Sequence, residues 1–316
     1  MKILEVKNLN LGFNLSDGFN QAIYDVSFDL EKGETLAIVG ESGCGKTIST
    51  MSVLQLLPET AQIKSGEILY NGENLLAYDR KQMQKIRGKK IALIPQDPMT
   101  SLNPLYTIGN QLLEIIELHQ GVKGKEARQI AVEALERVKI PDAKEKMKSY
   151  PHEFSGGMKQ RVIIAMALAC NAEIIIADEP TTALDVTVQA QIMEILRDVK
   201  EKYGLSVILI THDLGIVAQN ADKVAVMYAG RVVEYAGVDD IFKNPLHPYT
   251  KALLNVILDI NTDTVETIEG QPPSITDKIK GCPFHPRCEY CFEKCTVDEP
   301  LLKEAESSHK VSCWLY

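Results

Sequence analysis

The stretch Gly40-Glu-Ser-Gly-Cys-Gly-Lys-Thr47 constrains this chain more than any other. It fits G-x-x-x-x-G-K-[ST], a loop whose backbone N–H groups cradle phosphates. Such a loop works only when a strand delivers it and a helix leaves it. Here the apolar run 35–39 precedes it and a helical pattern follows Lys46. A second glycine-rich turn, Phe154-Ser-Gly-Gly-Met158, also feeds a helix and offers another anion-binding N-terminus. One nucleotide does not need two such cradles from one chain.

Apolar runs at 3–6, 26–30, 35–39, 91–95, 174–178, 206–211 and 223–228 read as strands. Helical patterns lie between them, including about 188–202, so a mostly parallel sheet is expected. The strand signal stops between Pro98 and Tyr150, where 108–120 and 125–138 read as helices. This is a helical subdomain, about 98–155, inserted between core strands. After Gly237 the pattern changes: a short helix near 239–243 precedes His247-Pro-Tyr-Thr-Lys-Ala-Leu-Leu254, and a Pro-containing segment leads into a cysteine-rich tail. The expected division is a catalytic domain over 1–258 and an extension over 259–316.

Net charge is −9, which argues against broad attraction to nucleic acid. No apolar run approaches the ~18 residues needed to span a bilayer. The N-terminus opens directly as a strand, without the pattern of a signal peptide. The expected location is therefore the cytoplasm or the cytoplasmic face of a membrane complex, held peripherally.

In the 40–47 loop, Gly40, Gly43 and Gly45 allow close backbone approach to phosphate. Lys46 brings a point charge to the β/γ-phosphates, and the Thr47 hydroxyl can ligate Mg²⁺. Ser42 and Cys44 complete the loop and Ile48 follows it. Cys44 reads as a small filler that an oxidant could modify. The run Ile174-Ile-Ile-Ala-Asp178-Glu179 is an apolar strand ending in two carboxylates. Asp178 is placed to hold Mg²⁺ through water, and Glu179 to polarise the attacking water.

These motifs together resemble the ATP-binding-cassette (ABC) family, whose subunits sandwich each nucleotide between one phosphate loop and the partner's signature turn. The resemblance implies an α/β P-loop NTPase fold and supplies further roles. Gln96 matches the Mg²⁺-sensing glutamine that also contacts the transporter. Ser155, Gly156 and Gly157 match the signature turn. Ala183-Leu-Asp185 matches the loop at the dimer interface, His212 the switch histidine on the γ-phosphate, and Phe13 the aromatic that stacks on adenine. Alone, His212 would read as a surface histidine, Phe13 as core, and Gln96 as nothing.

Within the family, three segments look like the ATPases of di- and oligopeptide importers. They are Gln96-Asp-Pro-Met-Thr-Ser-Leu-Asn-Pro104, Phe154-Ser-Gly-Gly-Met-Lys-Gln-Arg-Val162 and 183–191. The 247–254 segment is a further mark of that group. Phe154 and Met158 depart from the general Leu-Ser-Gly-Gly-Gln signature in the way usual there. The resemblance implies two permease subunits, an identical or paralogous ATPase, and an extracytoplasmic peptide-binding protein as partners. Nickel importers share much of the pattern, and a soluble, non-transport ABC ATPase is a further alternative.

Five of the seven cysteines crowd into 282–313. In a reducing compartment such clustering suggests metal before disulfides. Leaving Cys291 aside, the spacing is C-x5-C-x6-C-x17-C, which is neither the paired C-x2-C zinc pattern nor the ferredoxin run. The resemblance points to Cys282, Cys288, Cys295 and Cys313 as ligands of a [4Fe–4S] cluster, with an all-cysteine Zn²⁺ site as the alternative. Cys291 could replace one of the four; His285 and His309 are expected not to be ligands.

Overall fold

The structure, a computed structural model, describes residues 1–16, 18–182, 184–258 and 268–316, with backbone only at 256–258. The expected domain boundary after residue 258 and Ala183 of the dimer-interface loop lie outside the described residues. The chain forms two compact units, Met1–Ala77 with Ile210–Tyr316, and Tyr78–Leu209.

In the first unit, Thr35–Val39 pairs in parallel with Lys223–Tyr228, Ile38 facing Ala225. The first strand is buried at every residue and the second at all but its first, so both read as almost unbroken apolar runs. Arg231–Gly237 continues the sheet antiparallel to Lys223–Tyr228. His309–Val311 then pairs with Arg231–Gly237, and Lys303–Glu306 with His309–Val311. The cysteine-bearing tail therefore lends strands to this sheet instead of standing apart. It also shares the core: Cys282, Phe284 and Cys295 pack in one apolar cluster with Val39, Val226, Tyr228 and Tyr249. A tail too small to bury its own core thus borrows one.

A second sheet in the same unit runs in the order Gly18–Glu31, Lys2–Leu15, Ala61–Tyr70, Glu73–Asn74, all antiparallel. This antiparallel sheet stands beside the parallel pairs that were expected, and its first strand runs well past the expected 3–6. Register shifts between Val6 and Leu9 and again between Leu9 and Leu11 break the two-residue alternation that would have revealed the strand's length.

In the second unit, Ile91–Ile94 pairs in parallel with Ile174–Asp178, and Ser206–Ile210 is next in the sheet order. Between the first two of these strands the described chain is helical, with Ile108–Gln120 and Gly124–Arg137 the longest helices before the signature turn. Thr107 starts the first by accepting the Asn110 N–H, and Gly121 ends it in the left-handed region at φ 74°. No helix among the described residues is long and apolar enough to cross a membrane.

Candidate functional site

In the first unit the chain leaves Thr35–Val39 through a tight loop into the helix Lys46–Val53. Gly40 has φ 148°, and a Cβ there would stand 2.2 Å from the Met227 carbonyl oxygen. At Gly45, φ 104°, a Cβ would meet Ile23 Cδ1 at 2.5 Å. These two glycines let the loop lie close against the neighbouring strand. The turn at Gly230 supports the loop from beneath, its N–H donating to the Cys44 carbonyl at 2.9 Å. Lys46 is 5% exposed, and its ammonium donates to the carbonyls of Gly40 at 2.7 Å and Glu41 at 3.0 Å. A single buried cation therefore sits at the centre of the loop.

Cys44 is buried, and burial raises its thiol pKa despite the opposing charge of Lys46. The thiol is neutral and enclosed, which disfavours the oxidant-sensing role and leaves Cys44 a small packing residue. Phe13 is half-buried on Lys2–Leu15, with Asn20 and Ala61 as its cross-strand partners. His212 is exposed and stands just before Asp213, whose carboxylate caps Leu214–Asn220 by accepting the Gly215 and Ile216 N–H groups.

One prediction follows from the loop. Gly40→Ala is expected to weaken ATP binding about tenfold or more, because the new methyl adds left-handed strain to a backbone collision. Equilibrium nucleotide titration of the folded variant checks this; wild-type affinity would show that the loop absorbs a Cβ.

In the second unit, Asp178 is 2% exposed at the end of its strand. Glu179 follows in the left-handed region at φ 44°, an uncommon conformation for this residue type. That turn brings its carboxylate to Gln96, whose Nε2 donates to Glu179 Oε2 at 2.8 Å, while the Thr182 hydroxyl donates to the same oxygen at 2.9 Å. Gln96 and Glu179, 83 residues apart, are thus brought together.

Ser155 caps the helix Gly156–Ala169 by accepting the Met158 N–H at 3.3 Å. Gly157 is needed for space: a Cβ there would lie 2.6 Å from Val188 Cγ1. Asp185 caps the helix Val186–Tyr203 through the N–H of that same Val188, at 3.0 Å. The signature turn and the Asp185 loop therefore meet at one valine.

The tail gathers Cys282, Cys288, Cys295 and Cys313 around one small cavity, lined also by Phe284 and Trp314. Cys291 is exposed and does not line it, so the structure does not support its substituting for one of the four. The Cys282 N–H donates to the Cys295 carbonyl at 2.8 Å, tying two of the four together through backbone. Burial pushes the Cys282 thiol up to about 12 and the Cys288 thiol to about 11, so these two thiols stay neutral in the tail alone. Among the described residues no group of three or more His, Cys, Asp or Glu side chains closes on a single metal ion, so the metal-binding character expected of the extension is not shown. His285 also borders the cavity, and its Nδ1 lies 2.9 Å from the Cys282 carbonyl. His309 instead meets Glu234, its Nε2 2.7 Å from Oε1.

A family model described as ABC transporter matches residues 23–182, and one described as oligopeptide/dipeptide transporter, C-terminal region, matches 233–295. The chain is 50% identical over 317 residues to a dipeptide transport ATP-binding protein, DppD, of Bacillus subtilis, covering 99% of this chain and 95% of that protein. It is 48% identical over 301 residues to the oligopeptide transport ATP-binding protein OppD of Escherichia coli, covering 95% and 89%. Among solved structures, the dimeric post-hydrolysis form of the ATP-binding cassette MJ0796 bound to ADP and Pi superposes with a TM-score of 0.67 at 28% identity, covering 74% of this chain and 98% of that one.

Proposed function

Because this chain belongs to the ATP-binding subunits of dipeptide and oligopeptide ABC importers, we propose a residue-level account of how it couples ATP hydrolysis to peptide uptake. It is an ATPase, and ATP with Mg²⁺ is its substrate. In this account each nucleotide lies between the 40–47 loop of one subunit and Ser155, Gly156 and Gly157 of a second ATPase, with Phe13 against the adenine. Lys46 and His212 neutralise the γ-phosphoryl, and Glu179 orients the attacking water. Thr47, Gln96 and Asp178 would hold Mg²⁺; hydroxyl, amide and carboxylate oxygens are the hard donors that ion takes, and it supplies charge neutralisation at the phosphates. Asp185 sits at the dimer seam. Closure is favoured by bound ATP and released by hydrolysis.

The observation that carries the catalytic assignment is the convergence of Gln96 and Thr182 on one oxygen of Glu179. It leaves the carboxylate fixed in direction, as a water-orienting group must be.

The cassette is taken as 1–258, with the 98–155 subdomain and Gln96 as the surface that meets two permease subunits at the cytoplasmic face of the membrane. The peptide itself would be selected by an extracytoplasmic binding protein. Vesicles holding this subunit, its partner ATPase and the permeases test the account. Peptide-loaded binding protein should stimulate ATP turnover, and turnover indifferent to every peptide would refute it.

The tail, 259–316, is read as a cysteine site for a [4Fe–4S] cluster. Four thiols lining one cavity are the all-cysteine donor set that such a cluster takes. Cys282, Cys288, Cys295 and Cys313 would be its ligands, and the group would supply a covalent staple for a tail without its own core. Anaerobically purified protein is expected to carry about four irons and four acid-labile sulfides per chain. One zinc without sulfide, or neither metal, would overturn the cluster and leave the ATPase untouched.

A further inference from the structure

Glu41, second in the phosphate loop, is held at three points. Its N–H donates to the Tyr249 hydroxyl at 2.9 Å. Its carbonyl accepts from Lys46 at 3.0 Å. Its carboxylate is gripped by both arms of Arg287, Nη1 to Oε2 at 2.7 Å and Nη2 to Oε1 at 3.0 Å. Neither Tyr249 nor Arg287 belongs to a nucleotide motif; they lie 208 and 246 residues away in sequence.

Arg287 comes from the cysteine tail, immediately before Cys288, and its side chain is 5% exposed. Its Nε donates to the Glu269 carbonyl at 2.9 Å, and its other donors reach the Ile268 carbonyl and the Tyr228 hydroxyl, each at 3.3 Å. The guanidinium therefore cannot swing away. Beneath it, Phe284 packs on Tyr228 and Tyr249 with ring centroids 5.2 Å and 5.4 Å apart.

The electrostatics raise a question. A carboxylate inside a loop built for polyphosphate opposes binding of an anion, and partial burial weakens screening by water. Glu41 is 25% exposed at its side chain. Lys46 is occupied by loop carbonyls, which leaves Arg287 as the charge paired with this carboxylate in bidentate geometry.

We propose that Arg287 of the tail is a positioning residue for the nucleotide loop: it neutralises Glu41 and, with Tyr249, fixes the loop in its phosphate-binding shape. Nucleotide affinity in this ATPase then depends on a residue of the C-terminal extension. The proposal rests on the 40–47 loop as the phosphate site and is independent of what the cysteines hold.

The test is a charge cycle on the full-length chain, read as the Kd for MgATP by calorimetry, with cysteine-site content and thermal unfolding followed in parallel. Arg287→Ala is expected to weaken MgATP binding about tenfold, with a defect that shrinks as salt rises. Glu41→Gln removes the carboxylate that Arg287 neutralises and is the second corner of the cycle. The double variant should recover part of the affinity lost in Arg287→Ala, because the unpaired carboxylate is gone while the loop restraint stays lost; an arginine that did not act on the Glu41 charge would give no such rescue. If Arg287→Ala does not fold, Arg287→Lys with and without Glu41→Gln reads the same cycle, since lysine cannot make the fork. Affinity within twofold of wild type in the arginine variant overturns the proposal, as does a double variant no better than the single. Lys46→Ala is the reference: nucleotide binding that survives it would sink the phosphate-loop assignment instead.

Discussion

Glu179→Gln is expected to lower ATP turnover by about 10²- to 10⁴-fold while leaving MgATP binding intact. Glutamine keeps the side chain's length and can still accept from Gln96 and Thr182, which now hold Glu179 Oε2 at 2.8 Å and 2.9 Å. The left-handed backbone at this residue, φ 44°, is already accommodated and gains nothing from the charge. What disappears is the full negative charge that draws a proton from water as it attacks the γ-phosphoryl. Blocking that step holds the protein in its ATP-bound state, so the variant should also accumulate as a closed dimer with MgATP and return to monomer with ADP. Rapid-quench hydrolysis beside size-exclusion chromatography checks both halves. Wild-type turnover in this variant would remove Glu179 from the water-orienting role and leave His212 as the group to examine. A loss of ATP binding equal to the loss of turnover would mean that the carboxylate organises the site and does not act on the water.

Much of this site was legible because its signals are local. The 40–47 loop, the strand Ile174–Asp178 with its terminal carboxylates and the Ser155 turn each carry their chemistry within a few residues. The helix Ile108–Gln120 is legible for the same reason, with Thr107 and Gly121 marking both ends. What failed to show was non-local. The strand Arg231–Gly237 carries a glutamate in its middle, and a charge inside a short apolar run reads as a loop. Ala61–Tyr70 buries only Ile68 and Tyr70, both near its end, so no long apolar face marks it. The strands Lys303–Glu306 and His309–Val311 are too short and polar to stand out, and form only because an edge is waiting for them. The Arg287–Glu41 pair joins two motifs that are each visible by themselves in the sequence. No spacing rule relates a phosphate loop to a cysteine tail; only the shared aromatic core of Tyr228, Tyr249 and Phe284 brings them together.

The glutamate hidden in Arg231–Gly237 carries the second large effect. Glu234 is fully buried, and its two oxygens accept the Leu246 N–H at 2.7 Å and the His247 N–H at 2.9 Å. His309 Nε2 meets the first oxygen at 2.7 Å, and His309 is itself only 2% exposed. One side chain thus satisfies the backbone entering the helix Pro248–Leu258 and anchors the strand His309–Val311. His247 next to it is buried, and desolvation drives its pKa down to about 3; its neutral ring accepts the Tyr249 N–H at Nδ1, 3.0 Å away. That leaves it no spare acceptor with which to replace the glutamate. Glu234→Ala strands two backbone donors and one imidazole away from water, and is expected to cost about 3–5 kcal/mol of stability. Because the three groups belong to the tail and its approach, opening should begin there. Hydrogen exchange should rise first in 303–313 and 246–250, before the 40–47 loop loses nucleotide. Glu234→Gln keeps the shape but offers only one good acceptor, so its loss should fall between alanine and wild type. Urea unfolding with the three proteins in parallel gives the ranking. A cost below about 1 kcal/mol for alanine would mean that water reaches these donors and that the tail is held by its apolar contacts alone.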